Sequence, residues 1–346
     1  MRRTRQQTLA LDLGSSTLRL CTGPVGGAVL CAPSIVALDH AGKVRAWGTD
    51  ALRLRGRAPA ELEVIQPVAR GVVTHPHAAV RLLRAALRAA AADAGVPGPG
   101  EDGEAAVCVP DGATPLQRSA LAELCEEAGL RRIRLIPKSL SHVVGLGLPV
   151  REPSGALVVD VGTHRTSAAM MTMGYTMAAR SSDYGGETVN AALAQHLRLG
   201  YGLMVSAESA EDAKLRLAQA TSAMEPLPVR GKDLTGGWPR AQELAPADLP
   251  GLTLRLREEI VDLISAVMTD SPAELAHDVL DRGILLCGRG ALLPGLEEHI
   301  RAQTRLPVHL LDPEGTASVI GAHRLAAQPE SEAEQEEETG LTPSPV

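Results

Sequence analysis

The stretch LVVDVGTHRTSAAMM, residues 157–171, has the outline of a phosphate-binding hairpin. An apolar strand runs into Asp160, a turn follows at Gly162, and a second apolar run leaves it. A loop that wraps an anion must bring backbone N–H groups close to it, which favours several glycines. Here the turn reads Gly162, Thr163, His164, Arg165, Thr166 and has one glycine. The same arrangement of a carboxylate just before a glycine occurs at Asp12-Leu13-Gly14, followed by Ser15, Ser16 and Thr17. Asp-x-Gly is common in turns, and capping a turn is an ordinary use of Asp12, so either copy alone is weak. Two copies, each followed by strands and then helices, point to two similar α/β halves facing a cleft.

The elements that must position these hairpins can be read from periodicity and punctuation. LALDLGSSTLRLCTG is a strand, a tight turn and a strand, and GAVLCAPSIVALD is a further strand pair. Residues 76–94 carry apolar positions at helical spacing between Pro76 and Gly95. AAVCVP is a buried strand, and TPLQRSALAELCEEAGL is a helix with Pro115 in its first turn and Gly129 past its end. RRIRLI is a strand, and residues 139–147 are a short helix. After the second hairpin come two helices, ETVNAALAQHLRLGYG and SAEDAKLRLAQA, then a strand, a glycine turn and a helix in GILLCGRGALLPGLEEHIRAQT. A short strand, LPVHLLD, and a closing helix, GTASVIGAHRLAAQ, complete the body.

The chain's 346 residues suffice for two domains. It has no Phe, three Tyr and two Trp, which leaves few rings for stacking bases. Six glutamates among residues 330–338 account for nearly all of the net charge of −7, so the acidity belongs to the tail. The body has no basic footprint, and nucleic acid is excluded as a partner. Cys21, Cys31, Cys108, Cys125 and Cys287 form no Cys-x-x-Cys pair and read as buried thiols in a reducing cytoplasm. No apolar run reaches the length of about 18 residues that marks a membrane span, and the basic start MRRTRQQT lacks the apolar stretch of a secretory signal.

Taken in order, these segments resemble the MreB/Mbl-type bacterial actins, within the actin, hexokinase and heat-shock chaperone superfamily. The resemblance is carried by LDLGSSTLRL, APSIVAL, WGTDALRLRGRAP, CVPDGATPLQRSAL, GLGLPVREPSGALVVDVG, YGGETVNAAL, SAEDAKLRLA and CGRGALLPGLEEHI, from about residue 8 to 327. It implies an α/β, actin-like fold of two RNase-H-like domains facing a nucleotide cleft. The expected organisation is a basic extension at 1–7, a first domain at 8–150 with a small outer subdomain within about 30–75, a second domain at 151–327, and an acidic disordered tail at 328–346.

The resemblance further implies ATP and Mg2+ in the cleft. Asp12 and Asp160 are the metal-site candidates. Gly14, Ser15, Ser16, Thr17, Gly162, Thr163, Gly185, Gly186, Glu211, Lys214, Gly288, Arg289 and Gly290 join them as nucleotide-binding candidates. Glu211 and Lys214 share one helix face, and the same spacing also suits an ordinary exposed ion pair. Arg289 stands within the family's triple glycine, where it either stacks on an adenine or blocks it. Asn190 replaces a usual Asp, and Arg70 and His75 replace acidic residues.

Two departures bear on catalysis. In LIPKSL, Lys138 stands where the family has the glutamate that positions the attacking water. A charged lysine cannot take that water's proton. It either contacts a phosphate or is a solvated surface lysine, and the second is expected. In the second loop, Thr163, His164 and Arg165 replace the glycine-rich turn. His164 and Arg165 offer cations to an anion, but a degraded loop is the favoured reading.

The function expected is therefore an MreB-like cytoskeletal scaffold for cell shape or cell-wall synthesis, the spore wall included, with ATP hydrolysis weak or lost. An active actin-like ATPase is the alternative. A small-molecule kinase of the same superfamily is a poorer one, since no catalytic-base motif or sugar-recognition segment lies between the halves. Expected partners are copies of the chain or another MreB relative in filaments, and proteins of the cell-wall synthesis complex. The family's membrane-contacting segments are not evident: residues 96–104 are polar and MRRTR is a weak electrostatic contact at best. The protein is expected in the cytoplasm, reaching the membrane through a partner.

Overall fold

A computed structural model of the chain describes residues 8–23, 27–94, 104–219 and 226–327. The expectations for the 1–7 extension, the 328–346 tail and nearly all of the polar 96–104 stretch fall outside the described residues.

Alternating apolar residues make Thr8–Leu13 and Thr17–Thr22 strands, and the intervening residues close them into an antiparallel hairpin. They sit in a five-stranded sheet of spatial order Ala28–Pro33, Thr17–Thr22, Thr8–Leu13, Glu104–Val109, Ile133–Pro137. The hairpin side is antiparallel and the last two pairings are parallel. The second half repeats this plan in the order Tyr175–Ser182, Thr166–Thr172, Ala156–Val161, Ile284–Cys287, Val308–Leu310. It also repeats the senses of pairing. The two-fold repeat of the hairpin motif is thus a repeat of a whole sheet.

Each sheet is buried on both faces, and the period of two sorts the faces. In the first, Leu11, Leu18, Leu20 and Val107 pack on Leu82, Leu83, Leu121 and Leu124 of the Pro76–Ala94 and Pro115–Ala128 helices. Its other face carries the smaller Ala10, Cys21, Ala106 and Cys108, against Val319 and Ala322 of the Ala317–Ala326 helix. In the second sheet, Leu157, Val159 and Met170 meet Val189, Leu193 and Ile260 of the Gly186–Tyr201 and Leu249–Asp270 helices. Val158, Met171 and Leu285 meet Val143 of the Lys138–Gly145 helix. The inner helices are thus exchanged: the one that follows the first sheet packs on the second, and the last helix of the body packs on the first. They cross where a Cβ on Gly321 would fall 1.8 Å from the Ser141 carbonyl oxygen, so only glycine allows this approach.

Three sequence readings change. GAVLCAPSIVALD holds two strands, but they do not pair with each other. Ala28–Pro33 pairs with Thr17–Thr22, whereas Val36–Asp39 pairs with Val44–Trp47 and Leu62–Ile65 in a separate sheet. Pro33 has no N–H to continue the ladder, and the Ser34 hydroxyl donates to the Gly14 carbonyl at 2.6 Å, turning the chain outward. The short helix begins at Lys138 and not at 139, which puts the lysine on its first turn. Of the five cysteines Cys31 is exposed, so the expectation of buried thiols holds for the other four.

Candidate functional site

The two hairpin turns face each other across a cavity of about 210 Å³. Each is closed by the same bond: Gly14 N–H to Thr17 O at 3.1 Å, and Gly162 N–H to Arg165 O at 2.9 Å. Gly14, Ser15, Ser16 and Thr17 line one wall, and Gly162, Thr163, His164 and Arg165 the other. Asp12, Asp160 and Lys138 also line the cavity, with Gly186, Glu211 and Lys214 to one side and Gly288, Arg289 and Gly290 to another. Of the sequence-derived candidates only Gly185 is not part of the lining.

Asp12 and Asp160 occupy matching positions in the repeated sheets. Asp12 lies opposite Arg19 in its hairpin and Asp160 opposite Ser167. Lys138 reaches between them. Its Nζ is 2.9 Å from Asp160 Oδ2 and 3.7 Å from Asp12 Oδ2. Its side chain is 22% exposed, so it is not the solvated surface lysine expected from sequence. The starting point of its helix explains this. Asp111 accepts from Ser139 N–H at 3.1 Å and from the Ser139 hydroxyl at 2.6 Å, capping the helix where Pro137 supplies no side-chain cap. That contact aims the first residue of the helix into the cleft.

The surroundings set the charges. Burial is the largest single influence and opposes ionisation of Asp12 and of Asp160, but Lys138 acting together with Arg19 and the Ser318 hydroxyl at Asp12, and with His142 at Asp160, outweighs it and holds both carboxyls below the usual range. Burial likewise disfavours a charged Lys138, and the two carboxylates more than offset it, raising its pKa. Sequence reasoning missed three further members. Arg19 approaches Asp12 Oδ2 at 3.7 Å, and the Ser318 hydroxyl donates to the same oxygen at 2.7 Å. His142 stands between Asp160 Oδ1 and Asp312 Oδ2, at 3.7 Å from each. Burial works against its charged form, but Cys287 and Asp160 favour it and raise its pKa to about 10. Arg19, a lone cation in the apolar run STLRLCTG, was a detectable signal. His142 and Ser318 had none, because their partners are distant in sequence.

This donor set does not fit the divalent ion that the resemblance implies. Magnesium requires near-octahedral oxygen ligands and gives up water reluctantly. Here both carboxylates face cationic side chains, and the ammonium group lies in the space between them. In this structure Asp12 and Asp160 are the ion-pair partners of Lys138.

The second turn is committed to the protein. Gly162 O and Thr163 O accept from Gly186 N–H and Glu187 N–H at 3.0 and 2.7 Å, so the start of the Gly186–Tyr201 helix is spent on the turn's carbonyls. Gly185 is needed for this contact, since a Cβ there would lie 2.6 Å from both carbonyl oxygens. Burial lowers the pKa of His164, leaving it neutral, and Arg165 donates to the Ser181 hydroxyl. The two side chains are thus not a pair of free cations, although His164 Nδ1 and Arg165 Nε have no hydrogen-bond partner.

The remaining wall is a polar network. Lys214 is buried, with Nζ 2.6 Å from Glu211 Oε2 and 3.2 Å from Gly186 O. The pair is thus buried at its lysine end, while the Glu211 carboxylate stays open. Asn190 donates to Glu187 Oε2 at 2.8 Å and to Glu211 Oε2 at 2.6 Å. An aspartate there would have placed a third carboxylate beside these two, which accounts for the amide. A Cβ on Gly288 would meet Asp160 Oδ1 at 2.4 Å, and one on Gly290 would meet Val161 Cγ1 at 2.6 Å. Both glycines are required by packing against the Asp160 strand. Arg289 between them stays on the cavity wall.

Two halves of one plan, exchanging helices around a cleft walled by matching hairpin turns, define an actin-like protein. The sequence agrees and is more specific: the family described as MreB/Mbl protein matches residues 6–334, and the chain belongs to that family. It is 33% identical over 312 residues to the cell shape-determining protein MreB of Escherichia coli (strain K12), covering 87% of each chain. It is 29% identical over 306 residues to the cell shape-determining protein Mbl of Bacillus subtilis (strain 168), covering 87% of this chain and 90% of that one. Among solved structures it is similar to MreB5 of Spiroplasma citri bound to ADP, with a TM-score of 0.85 at 22% identity over 97% of this chain and 99% of that one. It is also similar to the MamK double helical filament, with a TM-score of 0.77 at 19% identity over 94% and 99% of the two chains. The protein is a cytoskeletal one of the cell-shape class. Among the described residues no helix is long and apolar enough to cross a membrane.

Proposed function

We propose that this chain is a scaffold for cell shape or cell-wall synthesis that binds an adenine nucleotide, turns it over slowly or not at all, and acts by association. The carrying observation is Lys138, an ammonium on the cleft floor where the family's water-positioning glutamate belongs. A side chain held as a cation cannot accept a proton from an attacking water, and loss of general-base assistance removes about 10²–10⁴-fold in rate. Support for a nucleotide comes from the relative MreB5, solved with ADP and with AMPPNP. In this chain the Gly14–Thr17 turn would hold phosphate, with Glu211, Lys214 and Arg289 on the nucleoside side. The halves at 8–150 and 151–327, tied together by their exchanged helices, serve as the two jaws.

Association is supported by MamK, which forms a double helical filament. Head-to-tail contacts of that kind generate open filaments. They do not depend on hydrolysis for adhesion, so a chain with impaired catalysis still assembles with itself or with an MreB relative. We place it in the cytoplasm, drawn to the membrane by a partner from the wall-synthesis complex. Two measurements test this reading. Phosphate release from ATP is expected to be slow or undetectable, and rapid release abolished by Asp12→Ala would restore the ATPase alternative. In analytical ultracentrifugation the chain, alone or mixed with an MreB relative from the same cell, is expected to form larger species. A strict monomer under every nucleotide condition would overturn the scaffold reading.

A further inference from the structure

We infer that Lys138 takes the place of the divalent cation, so that this cleft binds its nucleotide phosphates without magnesium. The inference rests on the reading that the cleft holds a nucleotide, and it concerns the form in which that nucleotide binds.

The geometry is that of a built-in counter-ion. One ammonium lies 2.9 Å from Asp160 and 3.7 Å from Asp12, and it also lines the cavity. Lysine is a compact point charge with three donors, so carboxylates on one side leave a donor for an oxyanion on the other. Asp12 Oδ2 is already served by the Ser318 hydroxyl at 2.7 Å and approached by Arg19 at 3.7 Å. The two carboxylates thus face two fixed cations and their charge is balanced. A magnesium ion bound directly by these carboxylates would displace the ammonium from a partner it holds at hydrogen-bond distance.

The rest of the cavity agrees. Its lining carries five permanent cations, Arg19, Lys138, Arg165, Lys214 and Arg289, against the carboxylates Asp12, Asp160 and Glu211. A wall with surplus positive charge favours the more highly charged, metal-free nucleotide over its magnesium complex. The ammonium is held in place by the Asp111 cap on its helix, which spares the site the ordering of a free ion.

Calorimetric titration of the whole chain with ATP, in EDTA and in excess magnesium chloride, tests the inference. Binding is expected in EDTA, with magnesium changing the affinity by less than about fivefold, the low edge of ordinary coupling between ligands. Lys138→Glu returns a third carboxylate to the site and is expected to bind ATP only with magnesium. Lys138→Gln, which removes charge without adding repulsion, is expected to lose affinity in EDTA and to regain part of it with magnesium, and circular dichroism shows whether each variant folds. Wild-type binding that requires magnesium would overturn the inference and leave the nucleotide reading standing. Equal affinities of Lys138→Gln and wild type in EDTA would likewise overturn it. No binding in either buffer would remove the nucleotide reading and the inference together.

Discussion

Gly145 and Ala317 meet backbone to backbone where the exchanged helices cross, and a Cβ on Gly145 would lie 1.9 Å from the Ala317 carbonyl oxygen. The obstacle is main chain, which cannot rotate aside as a side-chain tip does. Alanine ordinarily favours a helix over glycine by about 0.5–1 kcal/mol. Here the sign should reverse. Gly145→Ala and Gly321→Ala are each expected to destabilise by about 3 kcal/mol or more, at or above the usual range for overpacking. Urea unfolding monitored by circular dichroism measures this, and a stabilised variant would show that the helices can separate at no cost.

Asp111 ties the Lys138–Gly145 helix to the first sheet through Ser139. Its burial raises its pKa. A raised carboxyl pKa favours the fold at low pH and opposes it once the group ionises. Asp111→Asn keeps an acceptor for Ser139 N–H without the buried charge. It should therefore cost less than Asp111→Ala, which loses the cap and about 1 kcal/mol. Thermal melts of the two variants at neutral pH rank them, and an Asn variant below the Ala variant would refute the capping role.

Lys138 and Asp160 should be energetically coupled. Removing one partner of a buried pair leaves the other charge uncompensated, at about 3–5 kcal/mol. Lys138→Met is expected to destabilise on that scale, and adding Asp160→Asn should return part of the loss. A double-mutant cycle on denaturant midpoints gives the coupling. Additive losses would mean that the two groups do not sense each other.

His142 makes stability depend on pH on the alkaline side. Its folded pKa of about 10 lies above the ordinary histidine value, so the folded state holds the proton more tightly. Its contribution is complete below about pH 6.5 and is lost as pH rises towards the folded value. The unfolding temperature should fall across that interval, and His142→Gln should flatten the fall. Asp12 and Asp160, with lowered pKa values, act at the acid end, where stability is lost as they protonate. An unchanged alkaline slope in His142→Gln would assign the loss to other groups.

What could be read from sequence was local. Apolar runs bounded by turn residues made the strands, the period of 3.6 made the helices, and Pro115 and Gly129 bracketed one helix as they do in the structure. Asp12-Leu13-Gly14 and Asp160-Val161-Gly162 announced two matching hairpins, and their repetition announced two matching sheets. These signals lie within a few residues of the bonds they make, so one chain suffices to see them. The roles of the same residues were not local. Lys138 reads as an exposed lysine until the Asp111 cap and the two sheets aim it between Asp12 and Asp160. Gly288 and Gly290 read as a ligand loop, and only the Asp160 strand laid against them adds a packing reason for both glycines. His142 and Ser318 carry no pattern at all, because their partners Asp160 and Asp12 come from distant parts of the chain. Electrostatic pairing depends on distance and burial, and only packing the exchanged helices between the sheets set those.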